Sequence, residues 1–294
     1  MNGPQASLLA DGRRLHLNHG PIDLVIEAFG YAAEVEAAYD QARRRFKTIL
    51  TELVEELPDL RRASAPLPRD FRHPTARRME RAATSFAGKV FVTPMAGVAG
   101  SVADEMLAAM VDGRTLEKAY VNNGGDIALH LTPGSTIAAA IAGTGKGASE
   151  RLNIAFRDPV RGIATSGRHG RSHSLGIADA VTVLARSAAQ ADVAATLIAN
   201  AVDLPGHPAI HRRPADALSP DSDLGDRLVT VAVGPLEPTE IGKALDAGAR
   251  FARDCLAGGK IEAAILYLGG SERICGRALS VPHQKHLQEE PAHA

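Results

Sequence analysis

The sequence predicts an α+β fold with mixed or antiparallel sheets and packed helices, and three observations carry that expectation. Short apolar segments alternate with polar residues and break at glycine turns such as Asp11-Gly12, as half-buried strands do. Two long stretches, 31–57 and 239–256, instead repeat their apolar residues every three or four positions, the period of a helix with one buried face. Finally, Gly113 precedes Gly124-Gly125 by the interval that separates Gly258 from Gly269-Gly270. Each time a helical stretch leads through Gly to an apolar strand ending in Gly-Gly, a pattern that suggests internal duplication.

In chain order, the turn at Asp11-Gly12 leads to a strand through Leu15 and Leu17, and a second strand covers 22–29. The helix over 31–57 gathers Val35, Tyr39, Ala42, Phe46, Ile49, Leu50 and Leu53 on one face, and Pro58 ends it. Four prolines among arginines make 58–74 a loop, with a short helix over 75–86 behind it. A strand at 89–93, a helix from about 101 to 111 and strands at 119–122, 127–131 and 136–142 follow, then strands at 153–156, 162–165 and 178–185. Ser187 with Gln190 forms a capping box that starts an Ala-rich helix running to Val202. Residues 203–226 read as a Pro- and Asp-rich loop. The chain then gives a strand at 228–233, the helix over 239–256 stopped by Gly258-Gly259, and a strand at 261–268. Residues 1–281 read as one domain with its motifs at about 89–202, and 282–294 as a disordered tail.

Composition narrows the function. With 294 residues and 45% hydrophobic content the chain buries a core without needing metals or disulfides. A net charge of −1 gives no field to gather a polyanion, and 4% aromatics without Trp supply few stacking platforms, so nucleic acid is excluded as the main partner. No stretch has the length of a membrane span and the first residues lack an apolar signal core, which predicts a cytoplasmic protein. Cys255 and Cys275 have no Cys-x-x-Cys spacing and read as reduced thiols. A small molecule or another protein is the expected partner, and a homodimer is allowed.

Four stretches could carry chemistry. Asn122-Asn123-Gly124-Gly125-Asp126 is a hairpin turn that also lets backbone approach a bulky ligand, with Asn and Asp beside it to hydrogen-bond. The Gly97-Val98-Ala99-Gly100 run leads into a helix and leaves amides free for an anion. The segment from Thr165, Ser166 and Gly167 through Arg168, His169 and Arg171 to His173 gathers hydroxyls and cations that suit an anion, or a solvated loop. Asp192 and Thr196, one helical turn apart, could offer oxygens to Mg²⁺, while Asn200 continues the stripe and a plain solvent face explains it as cheaply. By contrast, Gly143-Thr144-Gly145-Lys146 lacks P-loop spacing and reads as a hairpin, and the arginines from Arg61 to Arg81 read as a solvated face.

Taken in order, Gly97–Gly100, Asn123–Asp126, Ala164–Gly167, the apolar run at 181–185 and Ala191-Asp192 with Thr196 resemble the blocks of the ApbE-like superfamily, in a cytoplasmic branch of it. That superfamily is known for FAD:protein FMN transferases, which use a divalent cation to cleave FAD and attach FMN to a Ser or Thr of a partner protein. The resemblance implies an ApbE-like fold, FAD and Mg²⁺ as cofactors, a flavin or nucleotide ligand and a cytoplasmic protein acceptor. It further implies metal oxygens from Asp192, Thr196 and the Ala99 carbonyl. Cofactor contacts are implied at Gly97, Ala99, Gly100, Asn123, Gly124, Gly125, Asp126, Thr165, Ser166, Gly167 and His173. Two departures stand out: Gly100 sits where the transferases commonly carry Lys, and their His-x-x-Asp-Pro block survives only as His173-Ser174-Leu175-Gly176-Ile177. The alternative, suggested by archaeal relatives, is a non-catalytic accessory protein in sulfide assimilation and homocysteine formation.

Overall fold

A computed structural model describes residues 3–140, 151–170 and 172–276. Its elements in order are β1 (Gln5–Leu8), β2 (Leu15–His19), β3 (Ile22–Gly30), α1 (Ala32–Glu55), α2 (Leu57–Leu60), α3 (Pro74–Thr84), a 3-10 turn Pro94–Gly97 and α4 (Val98–Val111). Next come β4 (Leu116–Asn123), β5 (Asp126–Leu131), β6 (Thr136–Ala140), β7 (Arg151–Ala155), β8 (Gly162–Ser166), β9 (Ala180–Ala185) and α5 (Ala188–Ala201). The chain continues through β10 (Ile210–Pro214), α6 (Ala215–Leu218), β11 (Leu228–Val233), α7 (Pro238–Ala257), β12 (Ala263–Leu268) and β13 (Ser271–Gly276).

Nine strands form one sheet in the order β1-β2-β3-β4-β5-β8-β9-β12-β13, every neighbouring pair antiparallel. Side chains alternate across a strand, so Leu24, Ile26 and Ala28 of β3 and Ala119 and Val121 of β4 share one face. They form a core with Phe46 and Ile49 of α1 and Met106 of α4, where each fully buried large side chain contributes about 1.5–3 kcal/mol. Farther along the same face, Val181, Val183 and Leu266 pack with Val193 and Ile198 of α5 and Leu245 of α7. The opposite face is covered by the β6–β7 ribbon, whose Leu152 and Ile154 meet Leu129, Ile163 and Leu184.

The repeated glycine spacing corresponds to a repeated unit. A helix, a strand, a Gly-Gly turn and an antiparallel strand recur as α4–β4–β5 and α7–β12–β13. Both turns need backbone that only glycine adopts freely, with φ of +65° and +112° at Gly124 and Gly125 and +55° and +76° at Gly269 and Gly270.

Several expectations are corrected. Residues 89–93 form no strand: they run as turn and extended chain, and one backbone bond, Ser64 N–H to the Val92 carbonyl, ties them to the preceding loop. The helix expected over 31–57 ends at Glu55, and Pro58 sits in the first turn of α2, where its missing N–H costs nothing. Part of the 203–226 loop is ordered as β10, paired with β11, and as α6. The arginine run is only partly the solvated face expected: Arg62, Arg72 and Arg81 are exposed, while Arg69 binds Glu80, Arg78 binds Glu105, and Arg77 donates to the Phe71 and Arg72 carbonyls. The Gly143–Gly145 hairpin and the 282–294 tail lie outside the described residues. No described helix is long and apolar enough to cross a membrane.

Candidate functional site

A cleft of about 600 Å³ opens on the helical face of the sheet, and its place follows from strand register. Only Ile127↔Ile163 and Ala128↔Gly162 pair β5 with β8. The Gly124-Gly125 turn before β5 and the Thr165–Gly167 end of β8 therefore stand beside each other at the sheet's seam; α4 starts next to that turn, and α5 starts over Gly162 at the other end of β8. Ala99, Asn123, Gly124, Asp126, Thr165, Ser166, Gly167, His173, Asp192 and Thr196 all line this cleft. The stripe of α5 thus faces the cleft: Asp192 and Thr196 are half-buried, and Asn200 closes the far end by accepting the Leu175 N–H at 2.9 Å.

The starts of α4 and α5 hold each other. Asp192 Oδ2 accepts the Gly100 N–H at 2.9 Å, and the Ala188 and Ala189 amides donate to Asp104 at 3.0 and 2.9 Å. Asn123, buried at the end of β4, donates its side-chain amide to the Ala99 carbonyl at 3.0 Å, joining the β-turn to the helix start. Burial pushes the Asp192 carboxyl well above its ordinary range and the Asp126 charge pushes it further, while the Gly100 and Ala99 amides pull it down.

Three of the candidate glycines do not line the cleft. Gly97 and Gly100 are packing positions: a Cβ at Gly97 would meet Val193 Cγ2 at 2.7 Å, and one at Gly100 would meet the Ala188 carbonyl oxygen at 2.3 Å. No side chain fits at 100 without displacing that backbone. Gly125 is exposed in the turn, its N–H bonded to Asn122 Oδ1 at 2.8 Å. Arg168 turns to Asp179, with its Nη2 2.7 Å from Oδ1, so the cation that follows the Thr165–Gly167 turn in sequence is already paired.

The cleft also includes residues with no local sequence signal. Phe91, Thr93 and Met95 come from the chain before α4, and Ser219, Asp221, Ser222, Asp223 and Leu224 come from the loop between β10 and β11. Thr93 Oγ1 donates to Asp223 Oδ2 at 2.5 Å across 130 positions. Among the described lining residues are four carboxylates, Asp126, Asp192, Asp221 and Asp223, and no Lys or Arg. No group of three or more His, Cys, Asp or Glu that could hold a metal ion occurs among the described residues. The available donors are the Asp192 carboxylate, the Thr196 hydroxyl and the Ala99 carbonyl, hard oxygens of the kind Mg²⁺ takes while it keeps positions for water or phosphate.

Comparison with known proteins adds relatives and a family. A UPF0280 protein of Methanothrix thermoacetophila is 38% identical over 141 residues, covering 46% of this chain and 55% of that one. Another, from Methanocaldococcus jannaschii, is 41% identical over 122 residues, covering 40% and 48%. The chain spans about half the length of the curated relatives it matches. Among solved structures, a mutant of flavin transferase ApbE from Vibrio cholerae matches with a TM-score of 0.40 at 16% identity over 90% of this chain and 97% of that one. The apo form of Pseudomonas stutzeri flavinyl transferase ApbE matches with a TM-score of 0.42 at 12% identity, over 94% of each chain. The family described as AbpE bacteria matches residues 6–274, which is most of the sequence, and the chain belongs to that family.

Proposed function

We propose that the protein binds a flavin or related nucleotide together with Mg²⁺ in the cleft over the β5–β8 seam, and acts there as an FAD:protein FMN transferase type of phosphoryl-transfer protein. The observation that carries this reading is the cleft's charge. A pyrophosphate facing Asp126, Asp221 and Asp223 without a lysine or arginine among the described lining residues would be repelled. A divalent cation between carboxylate and phosphate reverses the sign of that interaction.

Asp192, Thr196 and the Ala99 carbonyl would hold the cation. When bound, Mg²⁺ supplies charge neutralisation at the phosphoryl oxygens and the leaving group. The chain's own residues bind and orient: Gly124 and the Thr165, Ser166 and Gly167 turn bring backbone and hydroxyls to the ligand, and His173 lies against the 219–224 wall, 3.5 Å from Ser219 Oγ. Asn123 and Gly100 act behind them by fixing Ala99 and Asp192. The cleft volume falls within the roughly 300–1,000 Å³ typical of small-molecule sites. Family resemblance adds a protein Ser or Thr as acceptor.

Thermal unfolding with FAD, with and without Mg²⁺, tests the reading. FAD at a hundredfold excess over its Kd stabilises by about 2.7 kcal/mol. That rise should need Mg²⁺ and vanish in Asp192→Asn. An equal rise without Mg²⁺, or one that survives Asp192→Asn, would refute it.

A further inference from the structure

We infer that Phe91 is the shelf on which the planar heteroaromatic ring of the cleft's ligand stacks, with Arg227 fixing the shelf from behind. This rests on the reading of the cleft as a nucleotide site and goes beyond it by assigning the ring end.

Phe91 is the only Phe, Tyr or Trp among the described residues that line the cleft, and it is partly exposed while Val92 and Thr93 beside it are buried. The Arg227 guanidinium carbon lies 3.3 Å from the Phe91 ring centroid. Arg227 is exposed and is not among the described lining residues. Its Nη1 donates to the Leu224 carbonyl at 3.2 Å, which holds it to its own loop. A second tie, the Thr93–Asp223 hydrogen bond, joins the same two segments. Chain at 91–93 and chain at 223–227 are therefore fastened at two points, and the ring between them is held before any ligand arrives.

A ring so held suits stacking. One face is occupied by a planar cation, a favourable aromatic contact in its own right. The other meets a flat π-system at little cost in lost rotamer freedom, which is what pre-organisation provides. A flat ring such as isoalloxazine or adenine adds an aromatic pair contact to the area it buries on such a surface.

Binding of three probes to the full chain with Mg²⁺ tests this: FMN, ADP and inorganic pyrophosphate, the last having phosphates but no ring. Phe91→Leu keeps apolar bulk and removes the π face. It should weaken FMN or ADP by about tenfold and leave pyrophosphate affinity unchanged. Phe91→Tyr should restore the affinity. Whichever of FMN and ADP loses affinity identifies the ring on the shelf. Unchanged affinity for both, or an equal loss for pyrophosphate, would overturn the inference while leaving the nucleotide site standing. Failure of the wild-type protein to bind any of the three would overturn the nucleotide reading itself, and the shelf with it.

Discussion

Asp192 on α5 accepts the backbone N–H of Gly100 on α4 at 2.9 Å, so a carboxylate that lines the cleft also satisfies a donor at the start of the neighbouring helix. The relation is reciprocal, because Asp104 of α4 accepts the first two amides of α5. Free amides at a helix start carry partial positive charge, and each carboxylate satisfies donors that its partner helix leaves open. Burial pushes the Asp104 carboxyl up, as it does that of Asp192, and in both cases the backbone amides oppose it. The two helices thus register against each other through their starts, and the cleft inherits that register.

Gly100→Ala should destabilise the protein by about 3 kcal/mol or more, because the added Cβ meets backbone that cannot step aside. It would stand 2.3 Å from the Ala188 carbonyl oxygen and 2.8 Å from the Ala189 nitrogen. Urea unfolding measures this, with Gly3→Ala as control, since nothing lies within 4 Å of a Cβ there. A loss below about 1 kcal/mol would contradict the close approach of α4 and α5.

Asp104→Ala should cost about 1–2 kcal/mol, the scale of losing a helix cap. Asp104→Asn should cost less, since the amide oxygen still accepts one of the two N–H groups. The same variants should weaken any Mg²⁺-dependent ligand response in that order, because Asp192 lies one turn beyond the amides that Asp104 holds. Equal stability of all three proteins would show that water caps α5 as well as Asp104 does.

The helices were legible because their signals are local. The apolar period of α1 and the Ser187–Gln190 cap, seen as a Gln190 N–H to Ser187 Oγ bond of 3.3 Å, lie within a few residues of the structure they specify. The pair Asp192 and Thr196 was legible for the same reason, being a one-turn spacing. Residues 89–93 misled because a five-residue apolar run is equally a strand or an extended segment buried by contacts elsewhere. Phe91 and Asp223 were invisible as site residues, since what brings them to the cleft is Arg227 for one and Thr93 for the other, each more than a hundred positions away. Gly97 and Gly100 look alike in sequence to phosphate-binding glycines, and only the proximity of α5 reveals them as packing positions.

Neither cysteine should react readily in the folded protein. Cys255 and Cys275 are 4% and 7% exposed, and burial raises both thiols, Cys255 to about 11. Cys275 also donates its S–H to the Ala249 carbonyl at 3.8 Å. At pH 8 a water-soluble disulfide reagent should therefore react at least about a hundredfold more slowly with native than with urea-unfolded protein. Comparable rates would mean that the sulfurs are reached from solvent.

Glu80 gives a stability that depends on acid pH. Its side chain is 1% exposed and accepts from the Arg69 backbone N–H at 2.9 Å, from Arg69 Nη2 at 2.8 Å and from Ser64 Oγ at 3.1 Å. Burial opposes its ionisation, but the Arg69 hydrogen bonds and charge outweigh that and leave the carboxyl below its ordinary value of about 4.5. A group whose proton is held less tightly in the folded than in the unfolded state adds stability above the unfolded value, and that stability disappears as pH falls through the folded one. Glu80→Gln should cost about 3 kcal/mol at pH 7, because it leaves Arg69 without its carboxylate. Below about pH 4.5 the wild-type protein should lose stability more steeply than the variant, so the two unfolding curves converge. Parallel curves between pH 3 and 7 would show that folding does not shift the Glu80 carboxyl and that the loop carrying Arg69 is held by other contacts.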